Sequence, residues 1–219
     1  MLTGKHSHKN GFTDNTTCVF DASQPTFPRY LKEAGYETAL FGKGHLESLP
    51  QGFSRWAIVP GQGDYYNPRF IEMTGDTIVH HGYLTHLITD RSIDWLENER
   101  DREKPFCLLI HHKAIHRNWM ADTADLELFE DKQFALPDNF YDDYAGRRAA
   151  GEQEMSIGSA HDMDIIYDLK MYRPEEESRL KSTYEAFVSH MDPEQKARWD
   201  EFYNPIIEQF YNDKLTGRE

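Results

Sequence analysis

An unbroken apolar run, Phe106-Cys107-Leu108-Leu109-Ile110, ends abruptly on His111-His112-Lys113-Ala114-Ile115-His116-Arg117. Five apolar residues without alternation read as a strand covered on both faces, the pattern of a parallel sheet. Ligands of open α/β sheets bind beyond the carboxyl ends of such strands. Here that end is where hydrocarbon gives way to three imidazoles and two cations. A second stretch repeats the arrangement. Thr38-Ala39-Leu40-Phe41 runs into Gly42-Lys43-Gly44-His45, so another short apolar strand delivers a lysine and a histidine at its C-terminal end. The glycines beside Lys43 let the backbone turn and approach a ligand. If that segment is extended, Lys43 and His45 point the same way.

Helical patterns alternate with these strands. Phe27, Tyr30, Leu31 and Ala34 form one stripe behind a Thr26 cap, and Gly35 follows as a stop. A second helix is predicted from Thr85 to about Glu99, burying Leu84, Ile88, Ser92, Trp95 and Leu96. Trp56 to Val59 reads as a short strand. The alternation predicts an α/β fold, a mostly parallel sheet with flanking helices, and a helical segment at the C-terminal end. The loop Gly61-Gln62-Gly63-Asp64-Tyr65-Tyr66-Asn67-Pro68 either lines a pocket for a sugar or packs its aromatics beneath a long connection. His6, His8 and the pair His80-His81 read as loop histidines, though a role near the site is as open for His6 and His8.

Residues 121–172 are acidic and irregular. Asp162, Asp164 and Asp168 lack the glycine and glutamate of a calcium loop and are taken as structural. Pro174, followed by Glu175, Glu176 and Glu177, predicts a helix start. Asp192-Pro193 predicts another, with Trp199, Phe202, Tyr203, Ile206 and Phe210 along its stripe and a break or bend at Pro205. Met1-Leu2-Thr3-Gly4 opens without a strand or helix start and the chain stops just after a predicted helix, at Gly217-Arg218-Glu219, so it reads as an interior piece of a longer protein.

The formal charge is −14, from 24 Lys and Arg against 38 Asp and Glu. That balance disfavours nucleic acid as a partner. It also means that any anion site must be a local concentration of Lys, Arg and His. No apolar run approaches the ~20 residues that span a bilayer. Two cysteines, Cys18 and Cys107, argue against a disulfide framework.

If the two strand ends are neighbours, Lys43, His45 and His116 face one small volume, with Lys113 and Arg117 as substrate-binding candidates beside them. Lysine supplies a fixed charge for a tetrahedral oxyanion. One imidazole can take a proton while another gives one. No G-x-S-x-G nucleophile occurs, and no Asp/Asn cluster here makes a metal site. The residues themselves therefore define part of an oxyanion-transfer site.

Four blocks in order carry a resemblance: Leu2-Thr3-Gly4-Lys5-His6-Ser7-His8-Lys9-Asn10-Gly11, Thr26-Phe27-Pro28-Arg29-Tyr30-Leu31-Lys32-Glu33-Ala34-Gly35-Tyr36-Glu37-Thr38-Ala39, Phe41-Gly42-Lys43-Gly44-His45-Leu46 and His112-Lys113-Ala114-Ile115-His116. Together they resemble the type I, formylglycine-dependent sulfatases, a family with the alkaline-phosphatase-like fold. Residues 61–68 and the Asp142-Asp143-Tyr144 to Arg147 segment resemble bacterial N-acetylglucosamine-6-sulfatases. The resemblance implies that residues 1–120 are part of a catalytic α/β domain and 121–219 an insert of the same domain. It implies that Lys43 contacts sulfate and nucleophile, that His45 takes the nucleophile's proton, and that His116 binds sulfate and protonates the leaving sugar oxygen. A sulfated glycan is the implied partner, with 6-O-sulfated N-acetylglucosamine as the substrate. Formylglycine and Ca²⁺ are implied as cofactors.

The family's Cys/Ser-x-Pro-x-Arg signature and its Ca²⁺ carboxylates have no counterpart in these 219 residues, so the chain by itself is expected to be inactive. Gly44 stands where family members usually carry Trp. Two other readings stay open: a phosphodiesterase or phosphonate hydrolase of the alkaline phosphatase superfamily, and a non-catalytic glycan-binding remnant. The family's bacterial members are often exported, which makes a periplasmic or secreted location an expectation for a bacterial full-length protein.

Overall fold

The computed structural model describes residues 1–153 and 163–214. The chain divides into two compact units, Met1–His116 and Arg117–Glu219. In the first unit, one helical turn, α1 (Ser7–Asn10), precedes α2 (Phe27–Glu33), β1 (Glu37–Lys43), β2 (Arg55–Val59), β3 (Arg69–Glu72), β4 (Thr77–Val79), α3 (Leu84–Asp94) and β5 (Phe106–His111). Among the described residues the sheet has five strands in the order β4-β3-β2-β1-β5. β1 pairs in parallel with β2 and β5, whereas β3 runs antiparallel to both β2 and β4. The α/β class follows the sequence pattern, and the sheet is mixed.

Alternation along the central strands separates two cores. Ala39 and Phe41 of β1 and Ala57 and Val59 of β2 face Leu84, Ile88 and Trp95. Leu40, Trp56 and Ile58 pack on the opposite side with Phe53. Each large apolar side chain buried in this way contributes roughly 1.5–3 kcal/mol. Both faces of β1 are therefore clamped, and the position of Lys43 at its end is fixed by packing. Thr38, fully buried, ties the start of the strand down by donating to the Gly52 carbonyl at 3.0 Å and accepting from the Ser54 N–H at 3.0 Å.

In this unit α2 and α3 form where periodicity places them, but Thr26 makes no side-chain cap, and Tyr30 and Ala34 of the predicted stripe are exposed. α2 starts after Thr26 in extended conformation and ends before Gly35, whose φ is +92°. α3 continues into a π-helical turn over Trp95–Glu99, so the predicted helix to Glu99 is present with a change of winding at its end. β5 differs from expectation. The apolar run predicts cover on both faces, but among the described residues β5 is the outermost strand, and Phe106, Ile110 and His111 are exposed. Among the described residues β5 has one neighbouring strand, β1, which leaves part of its surface uncovered.

The second unit begins irregularly. A 3₁₀ turn at Thr123–Asp125 and a helical turn α4 (Arg148–Gly151) precede α5 (Lys181–Val188) and α6 (Pro193–Asp213). The helix predicted from Pro174 does not form there. The Asp164 carboxylate accepts from the Ser178 hydroxyl at 3.0 Å and the Leu180 N–H at 3.3 Å, which holds that segment outside a helix until Lys181. Asp164 also accepts from the Ile166 and Tyr167 N–H groups, in keeping with a structural role. Asp162 lies outside the described residues. Asp192 opens α6 with a complete capping box, as its sequence predicts. Pro205 sits inside α6 without ending it, because buried Trp199 and Ile207 anchor the helix on either side.

Candidate functional site

The first unit gathers four of the five candidate residues around the C-terminal ends of β1 and β5. Lys43 closes β1 opposite Val59 of β2, and its backbone carbonyl lies 3.2 Å from the His111 Nδ1. Gly42, one residue earlier, pairs with His111 at φ +111°. His45 follows in left-handed conformation, φ +46°, so the segment is not extended and the ring turns toward the loop after β2. There the Gln62 Nε2 lies 3.4 Å from each nitrogen of the His45 ring.

Lys113 comes from the turn after β5 and is only 3% exposed. Its ammonium donates to the Gln62 backbone carbonyl at 3.2 Å and lies 5.0 Å from the centre of the Tyr65 ring. His116 closes the same turn, its N–H donating to the Lys113 carbonyl at 2.8 Å. The Tyr65 hydroxyl donates to the His116 carbonyl at 2.7 Å, which pins that turn to the β2 loop.

The electrostatics register the crowding. Burial, then Lys43, His116 and Lys113, hold the His45 imidazole below its ordinary value, with Glu47 opposing. Burial lowers the Lys43 ammonium. Burial first and Lys43 second push the Lys113 ammonium down to about 8, against the pull of Asp64. A chain of net charge −14 thus concentrates two ammonium groups and two imidazoles in one place. Such a site can neutralise a tetrahedral oxyanion, and a neutral His45 can accept a proton.

Arg117 is the exception. It opens the second unit, where its guanidinium makes a two-pronged ion pair with Asp168, including an Nε to Oδ1 contact of 2.9 Å, and lies over the Tyr167 ring. His6 and His8 are exposed and stack on each other with centroids 5.9 Å apart. The His80 ring accepts from the Arg91 guanidinium at 2.8 Å and sits 3.7 Å from the Glu72 carboxylate, which makes it a structural residue. Tyr65 and Tyr66 are buried, so the aromatics of their loop pack inward, as the packing alternative has it. Sequence reasoning missed Gln62 as a partner of both His45 and Lys113. The available signal was a lone amide flanked by two glycines directly after a strand.

The cofactors implied by the resemblance do not fit these residues. Ca²⁺ takes six to eight oxygen ligands, mostly carboxylates, and this cluster is cationic. No group of three or more His, Cys, Asp or Glu among the described residues could hold a metal. The Cys18 thiol donates to Asp14 at 3.2 Å in the loop before α2 and lies outside the motif from which formylglycine is made.

The chain is 46% identical to an N-acetylglucosamine-6-O-sulfatase of Bacteroides thetaiotaomicron, over its whole length and 39% of that protein. It is 30% identical to the human N-acetylglucosamine-6-sulfatase, across 55% of this chain and 26% of that one. It therefore spans about two fifths of the first of these relatives and about a quarter of the second. A solved structure described as in complex with its substrate D-glucosamine-2-N,6-O-disulfate superposes with a TM-score of 0.87 at 46% identity, covering 99% of this chain and 44% of that chain. The sulfatase family model matches residues 1–194, and the chain belongs to the sulfatase family.

Proposed function

We propose that this chain is the sulfate-handling part of a sulfuric ester hydrolase that removes 6-O-sulfate from an N-acetylglucosamine-type amino sugar. The observation that carries the reading is the convergence of Lys43, His45, Lys113 and His116 at adjacent strand ends, where burial lowers Lys43, and burial together with neighbouring charge lowers His45 and Lys113. The names of the relatives and the sugar disulfate in the similar structure support the substrate class.

In this reading Lys43 and Lys113 neutralise the charge on the sulfuryl oxygens as the bond between sulfur and sugar oxygen breaks. His116 gives a proton to the departing sugar oxygen, and His45 takes one from the attacking oxygen. Arg117, held by Asp168, is the further glycan-binding candidate. Residues 1–120 form part of the catalytic α/β domain and 121–219 an insert in it. The formylglycine and Ca²⁺ chemistry belongs to other residues of the whole enzyme, so the isolated 219-residue chain releases no sulfate.

The test is an assay of the full-length protein on 6-O-sulfated N-acetylglucosamine, with free sulfate measured. Lys43→Ala and His116→Ala are each expected to lower kcat/KM by about 100-fold or more. Wild-type rates in both variants would refute the roles. Sulfate release by the purified 219-residue chain would refute its dependence on the rest of the enzyme.

A further inference from the structure

The loop between β2 and β3 carries a feature the assigned roles do not use. Gly61 and Gly63 flank Gln62 with φ of +53° and +70°, and the Gly63 N–H closes a turn on the Pro60 carbonyl at 3.0 Å. A Cβ on Gly63 would lie 2.7 Å from the Val59 side chain, so the turn fits closely against the end of β2. Gln62 is therefore held on a stiff turn. Its Nε2 is equidistant from both nitrogens of the His45 ring, 3.4 Å from each, a position that spans the ring edge or face rather than following one lone pair. Its Oε1 is buried without a hydrogen-bond partner among the described residues. An amide held so, at the cost of an unmade hydrogen bond, constrains what it touches. Its backbone carbonyl meanwhile accepts from the buried Lys113 ammonium at 3.2 Å.

We infer that Gln62 is a positioning residue: its side chain fixes the plane of the His45 imidazole while its backbone carbonyl anchors Lys113, so that one turn sets both groups. The inference deepens the sulfuryl-transfer reading, in which His45 and Lys113 act together. The groups bearing on His45 are Lys43 on its own strand end, Glu47 beyond it, and Lys113 and His116 on the turn after β5. None of them comes from the Gln62 turn, so the side chain at position 62 can be varied while those charges stay.

The experiment is an NMR titration of His45 and Lys113 in the 219-residue chain, which needs no turnover and so stands whether or not the sulfatase reading holds. Gln62→Ala removes the amide, admits water to the ring and keeps the backbone carbonyl. His45 is then expected to titrate about half a pH unit higher, with Lys113 unchanged near 8. Gln62→Glu places a carboxylate at the ring and raises His45 by about one unit or more. His45 titrating alike in wild type and both variants would overturn the inference. So would a Lys113 that moves together with His45 in Gln62→Ala, because that pattern reports collapse of the turn.

Discussion

A Cβ placed on Gly42 would lie 2.1 Å from the backbone oxygen of His111. The two residues are register partners in the parallel pair of β1 and β5, and Gly42 holds φ at +111°. The close approach is what brings the strand ends, and with them Lys43 and the turn of Lys113 and His116, to one edge.

Gly42→Ala should therefore fail on two counts, a clash with backbone and a forbidden φ. Neither can be relieved by rotating a side chain. A loss of about 3 kcal/mol or more is expected in urea unfolding. A variant as stable as wild type would show that β1 and β5 do not approach this closely.

Gly44 makes the opposite prediction. Its φ lies outside the left-handed region, and a Cβ there would touch the Ile58 side chain at 3.5 Å, ordinary contact. Gly44→Ala should stabilise the chain by about 0.4–1 kcal/mol by restricting the unfolded state. Thermal unfolding measures this, and a lowered midpoint would mean that His45, left-handed at φ +46°, needs the freedom of its neighbour.

How the chain declares itself differs from element to element. Lys43, His45 and His116 could be picked out because apolar runs mark strands and strand ends mark sites. Their being adjacent is a property of parallel pairing that the runs imply without proving. Lys113 was visible as a cation, but its burial was not, since it depends on Tyr65 and on the Gln62 carbonyl, 51 residues upstream. Arg117 looked like part of the same basic cluster. Its partner Asp168 lies 51 residues downstream, and no local pattern couples them. The helix expected at Pro174 was lost to Asp164 in the same way, through a carboxylate that competes for backbone donors.

The Arg117–Asp168 pair has its own consequence. The Asp168 side chain is fully buried and that of Arg117 is 33% exposed. Arg117→Ala leaves the buried carboxylate with the Asp164 N–H at 2.7 Å and the charge of Lys170, so the loss is about 1–3 kcal/mol. Adding Asp168→Asn should recover much of that loss, so a double-mutant cycle in urea will be far from additive. Additive losses would show that the two side chains do not depend on each other, leaving Arg117 with its substrate role alone.

The buried Lys113 ammonium should write itself into the pH dependence of stability. It titrates near 8 when folded, below the ordinary lysine value of 10.5. Between those values the unfolded chain binds more protons than the folded one, so stability rises with pH across that window. Below 8 lysine is charged in both states and the burial penalty is present in full. Above 10.5 it is neutral in both and the penalty is gone. Lys170 titrates near 8 for the same cause and adds a similar rise, and the highly buried Tyr184 opposes any gain above pH 10. Lys113→Met removes one of these contributions and leaves the others. Subtracting the variant's stability curve from that of wild type should isolate a rise of on the order of 3 kcal/mol across that window. Lys170→Met serves as the comparison within the second unit. A flat difference curve for Lys113→Met would mean that the ammonium is solvated and has an ordinary affinity for its proton. Lys113 would then be no poised charge beside His45.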